Sequence, residues 1–146
     1  MRNITRTLDR LRPIAPLAVR VTVGIIFLWH GIDKFDTGIS NVEGAFDGWG
    51  VPVPGLTAPF TAVLEIVAGA ALIIGLGTRV AAAALAALMV GSILFVRAEN
   101  GLIAEGGAEL DLALLVASLT LVATGPGILS ADQALGWDRP SEPSPA

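Results

Sequence analysis

Six ionisable side chains stand in or at the mouths of apolar stretches: Arg20, His30, Lys34, Glu65, Glu109 and Asp111. A charge in hydrocarbon costs at least about 2.5–3.5 kcal/mol on insertion scales, so such residues are functional candidates by default and are expected to be paired. A carboxylate, an imidazole and an ammonium in one place could form a polar pocket for a small headgroup or a quinone, or dock a partner. The same charges could instead only hold helices in register.

Helical spacing organises these residues. Arg20, Gly24, Phe27, Gly31 and Lys34 follow steps of three and four, which places them on one stripe of a helix. His30 lies to one side of that stripe, four residues before Lys34. Glu65, Gly69, Leu72 and Leu76 form a second stripe. With small residues at Gly24, Gly31 and Gly69 to allow close approach, the two stripes are expected to face each other. At a rise of about 1.5 Å per residue, Glu65 lies roughly 10 Å below the outer end of its helix, and His30 roughly 6 Å below Lys34. Glu65 is expected to pair with Lys34 or His30. Arg20, about 20 Å from Lys34, is expected to reach toward Glu65 or to snorkel inward. Glu109 and Asp111 open the last apolar stretch on the same side, so a cluster with Lys34, Glu65, His30 and Arg97 is anticipated.

The elements that must position them are apolar runs. Of the 146 residues, 53% are hydrophobic and 15% charged, an excess over the soluble average that is concentrated in four blocks. The blocks cover about residues 14–32, 59–76, 80–96 and 108–124, each long enough to cross a bilayer core of about 30 Å. The basic start ahead of the first block could suggest a signal peptide, but the run is too long for one and is read as a retained helix. The expected fold is all-α, an integral-membrane four-helix bundle over residues 14–127. Residues 1–13 form a basic cytoplasmic N-terminus, and residues 128–146 a cytoplasmic amphipathic segment with a disordered tail. Arg2, Arg6, Arg10, Arg12, Arg79 and Arg139 fall on one side and only Lys34 and Arg97 on the other, which puts both termini in the cytoplasm.

The longest loop, 33–57, is expected to carry a short amphipathic helix over about residues 41–49, started by a Ser40/Glu43 capping box. Ser130 and Gln133 repeat that spacing before Trp137. Asp132 and Glu142 read as solvated.

Much chemistry is excluded. There is no cysteine, hence no thiolate nucleophile, no Fe–S cluster and no Cys-ligated zinc on this chain. One histidine cannot make a bis-His haem site, and no metal site is expected. No P-loop, dinucleotide fingerprint or Ser-His-Asp set occurs. The net charge of −4 gives no reason to expect a nucleic-acid partner. The expected partner is the lipid bilayer of a bacterial plasma membrane, with other redox proteins or a second copy of the chain beside it.

These residues also carry a family likeness. RVTVGIIFLWHGIDKF, GWGVPVPG, LEIVAGAALIIGLGTRVAA, GGAELDLALL and GPGILSADQALG, in that order, resemble the DoxX family over about residues 18–136. The resemblance implies a four-helix membrane protein linked to sulfur and redox metabolism; a related subunit, DoxD, belongs to a thiosulfate:quinone oxidoreductase. It marks Arg20, Gly24, Gly31, Lys34, Glu65, Gly69, Arg79, Glu109, Gly125 and Gly127 as characteristic positions, with no catalytic role implied. A persulfide needs a thiolate, so any sulfur-transfer step would require a partner's cysteine. The expected role is an anchor or accessory subunit of a membrane oxidoreductase assembly, not catalytic alone, with a quinone or small-anion pocket in the outer half. A small-solute carrier is the alternative.

Overall fold

In the computed structural model the described residues are 14–97, 101–103 and 106–137. Among them the chain is helical and contains no strand. The elements are α1 (Ile14–Thr37), α2 (Ile39–Gly48), α3 (Pro54–Ile74), α4 (Thr78–Gly91), a π-helical turn (Ser92–Val96) that continues α4, α5 (Glu109–Thr124) and α6 (Ala131–Ala134).

Helix α1 runs past the apolar stretch, so Asp33, Lys34 and Asp36 are helical rather than in a loop. It stops at Gly38, whose φ of 93° few side-chain-bearing residues tolerate. The Ser40/Glu43 capping box is not used. Gly38 is the N-cap of α2 and makes no side-chain cap bond, and the helix starts at Ile39. Helix α3 starts with Pro54 in its first turn, where the missing N–H is harmless, and Pro59 lies inside it. At the chain's other capping signal, Ser130 does cap α6, its Oγ accepting from the Gln133 N–H at 3.2 Å.

Among the described residues three helical segments are long and apolar enough to cross a membrane: Ile14–Thr37, Pro54–Ile74 and Thr78–Val96. Helix α5 has 16 residues, about 24 Å at the helical rise.

Buried Val23, Phe27, Ala68, Leu72, Ala82, Leu85, Met89, Leu114 and Leu121 bring α1, α3, α4 and α5 into one apolar cluster. Ala68 and Ala82 in this core let backbones approach closely. Other large apolar side chains point out: Leu56, Phe60, Val63 and Val67 form an exposed stripe on α3, and Leu112, Val116 and Leu119 one on α5. Contiguous exposed apolar faces of this kind are rare on soluble monomers and suit contact with lipid.

Helices α1 and α3 run antiparallel in tight contact. A Cβ at Gly24 would lie 2.7 Å from the Gly69 carbonyl oxygen, and one at Gly31 2.8 Å from that of Ala62. Helices α4 and α5 are also antiparallel, tied at one end by Asp111 to Ser92 and Arg97 and at the other by Arg79 to Val122 and Ala123.

Candidate polar site within the helices

At the end of the molecule where α1 finishes and α3 begins, the Lys34 ammonium donates to Glu65 Oε2. The side chains are 20% and 4% exposed respectively, so the carboxylate is buried and the ammonium nearly so. The helix crossing explains the meeting. The close Gly31–Ala62 approach puts Lys34, one turn beyond Gly31, beside the turn of α3 that carries Glu65.

His30 is exposed and does not join the ion pair by a hydrogen bond; its Nδ1 lies 2.8 Å from the Ile26 carbonyl oxygen. A carbonyl can only accept, so Nδ1 carries the proton, and only in a neutral ring is Nε2 an acceptor. His30 is one residue from Gly31 and therefore about 100° around the helix from it, on the flank of the packed stripe. Its neighbour Trp29 is 71% exposed on the same outward side.

Arg20 goes elsewhere. It is 1% exposed, and it neither reaches Glu65 nor ends in solvent. Its Nη1 donates to the Pro126 carbonyl at 3.2 Å and its Nη2 to the Leu129 carbonyl at 3.0 Å. Gly75 makes room for it: a Cβ there would lie 2.0 Å from Nη1.

Glu109 is exposed in the first turn of α5 and forms no contact with Lys34 or Glu65 in the structure. Asp111 is buried and belongs to a separate ion pair. Arg97 Nε donates to Asp111 Oδ2 at 3.0 Å, and Ser92 Oγ donates to the same oxygen at 3.2 Å. Both donors sit on the π turn or its cap, where the Arg97 N–H bonds the Ser92 carbonyl. The anticipated single cluster is thus two ion pairs at one end of the molecule, one for each antiparallel helix pair.

Sequence reasoning missed Asp132, which is buried rather than solvated. Its carboxylate accepts from the N–H groups of Gly77 at 2.6 Å and Thr78 at 2.8 Å, capping α4 from 54 residues away. A cap supplied across the fold has no local signature. Glu142 lies outside the described residues, as do Glu99 and Glu105. Among the described residues no three His, Asp or Glu side chains come together as a metal-ligand set.

Described residues that are helical throughout, with three membrane-length helices among them and ion pairs at helix contacts, mark a membrane protein in class. The DoxX family profile matches residues 15–98, and the chain belongs to the DoxX family. It is 33% identical over 141 residues, 89% of this chain and 86% of the relative, to a Mycobacterium tuberculosis protein named "Uncharacterized membrane protein Rv3486". It is also 33% identical over 120 residues, 82% of this chain and 85% of the relative, to a Bacillus subtilis protein named "Putative oxidoreductase CatD". No solved structure matches it significantly.

Proposed function

We propose that the chain is a four-crossing membrane subunit with both termini in the cytoplasm, serving as an anchor or accessory subunit of an oxidoreductase assembly, and that a quinone headgroup docks against His30 and Lys34 in the outer half of the bundle. The fourth crossing is supported by the pairing of α5 with α4. Asp111 meets the Ser92–Arg97 end of α4 while Arg79, at its start, meets Val122 and Ala123, so α5 extends as far as a membrane-length neighbour does. The orientation is supported by charge. Lys34 and Arg97, at one end, are paired with carboxylates, and the arginine-rich segments of the sequence belong to the other end. The redox role is supported by the name of the Bacillus relative.

The observation that carries the quinone reading is the His30 ring. With Nδ1–H tied to the Ile26 carbonyl, the neutral form of the ring presents Nε2 as an acceptor on an exposed surface, one helical turn from the Lys34 ammonium. An acceptor for a hydroxyl and a cation for a carbonyl oxygen suit the two redox forms of a quinone ring. The chain lacks cysteine, so thiol chemistry in such an assembly falls to a partner.

A second reading, that Lys34 and Glu65 only lock α1 to α3, is favoured by their direct contact. One experiment separates the two. Purified protein in nanodiscs is titrated with decylubiquinone while the thermal midpoint is followed. Binding at 100 times Kd stabilises by about 2.7 kcal/mol, so the midpoint rises, and His30→Ala removes the rise without changing the ligand-free midpoint. A midpoint indifferent to quinone, or a rise that survives His30→Ala, overturns the docking site.

A further inference from the structure

Between α5 and the segment that precedes it lies an open groove of about 600 Å³. Small-molecule sites typically measure about 300–1,000 Å³ and are mostly apolar, with a few polar groups that choose the ligand. Leu102 and Ile103 line the groove from the preceding segment, and Leu112, Ala113, Val116 and Ala117 from α5. The α5 positions are related by steps of three and four, so they share one helix face. Ala113 and Ala117 carry the smallest side chains on that face, which leaves the space. Leu102, Ile103, Leu112 and Val116 are exposed, so the groove opens outward and not into the core.

One ionisable group lines this apolar surface. Glu109 stands one turn before Leu112 and Ala113, in the first turn of α5. It is exposed and enters no hydrogen bond or ion pair by its side chain among the described residues. The cation of this corner is engaged elsewhere: Arg97 donates to Asp111 and to the Gly106 carbonyl, and it does not line the groove. Ala117 lies eight residues beyond Glu109, about 12 Å along the helix. The carboxylate therefore heads an apolar channel of that length.

We propose that this groove binds a lipophilic monocation, a compound with one positive centre and an aromatic or alkyl body. The positive centre lies against the Glu109 carboxylate, and the body fills the space between Leu102, Ile103 and the Leu112–Ala117 face. Charge selects the class. An anionic amphiphile meets like charge at the mouth. A zwitterionic lipid brings its phosphate to the same place, where no cation lines the groove to receive it. The proposal goes beyond the quinone reading and does not depend on it, since His30 and Lys34 are on α1.

Tetraphenylphosphonium and tetraphenylborate share a shape and differ in the sign of their charge, so the pair isolates the electrostatic choice. Each is dialysed separately to equilibrium against the full-length protein in nanodiscs, with empty nanodiscs as the blank for partition into lipid. Tetraphenylphosphonium is expected to bind saturably at one site, and tetraphenylborate to stay at the level of the blank. Glu109→Gln should weaken tetraphenylphosphonium binding roughly tenfold or more. Ala113→Phe, which fills the groove and keeps the carboxylate, should do the same. Both positions are exposed, so neither change disturbs the core. His30→Ala should leave the binding as it was, which keeps this site distinguishable from the quinone site. Absence of saturable tetraphenylphosphonium binding, equal saturable binding of tetraphenylborate, binding that survives Glu109→Gln or Ala113→Phe, or loss of binding in His30→Ala overturns the proposal.

Discussion

Gly24 and Gly69 face each other across the α1–α3 crossing so closely that a methyl on Gly69 would lie 2.7 Å from the Leu28 nitrogen and 2.8 Å from the Gly24 carbonyl oxygen. Both neighbours are backbone, so no rotamer change relieves the contact. The register that this crossing sets is also what brings Lys34 to Glu65.

Gly69→Ala is therefore expected to destabilise the protein by about 1–3 kcal/mol, the usual range for overpacking. Gly44→Ala in α2 is the control. Nothing lies within 4 Å of a Cβ there, and a helix-interior glycine costs about 0.5–1 kcal/mol relative to alanine. Thermal unfolding in detergent should move in opposite directions for the two variants.

Removing one partner of the Lys34–Glu65 pair strands the other. Loss of one side of a buried pair costs about 3–5 kcal/mol; the residual 20% exposure of Lys34 puts Glu65→Gln at or below the low end. The double change Lys34→Met with Glu65→Gln leaves no stranded charge and should recover most of the loss. A thermodynamic cycle over the four proteins measures the coupling, and additive effects would contradict it.

Arg20→Met should release the segment after α5 while leaving α1 packed on α3. It withdraws both donors from the Pro126 and Leu129 carbonyls, and each buried carbonyl left unsatisfied costs about 1–3 kcal/mol. Limited proteolysis should cut near Leu129 far faster than in the parent protein. Unchanged protection there would show that Asp132 alone holds the segment.

Leu129 itself is held at φ 55°. A left-handed conformation costs a residue with a Cβ roughly 1–2 kcal/mol, partly offset in Leu129→Gly by glycine's larger entropy loss on folding. The net expectation is a gain of up to about 1 kcal/mol, read as a raised thermal midpoint.

What was legible in the sequence is what depends on local periodicity and on length. Apolar runs matched to a bilayer name the long helices. Steps of three and four place Arg20, Gly24, Phe27, Gly31 and Lys34 on one face, because an α-helix has one geometry whatever surrounds it. The same arithmetic narrowed the partner of Glu65 to Lys34 or His30. The crossing of α1 and α3 chose Lys34, since His30, about 40° further around the helix, is exposed.

The rest needed the tertiary structure. The two Nη groups of Arg20 donate to carbonyls 106 and 109 residues away, and a backbone carbonyl carries no mark of residue type. Asp132 caps a helix to which it is not adjacent in the chain. Asp111 pairs with Arg97 rather than joining Lys34 and Glu65, because α5 lies against α4 and the π turn aims Arg97 and Ser92 at it. Helical period is written along one chain segment. Which segments become neighbours follows from how their surfaces fit, and no single stretch of sequence contains that.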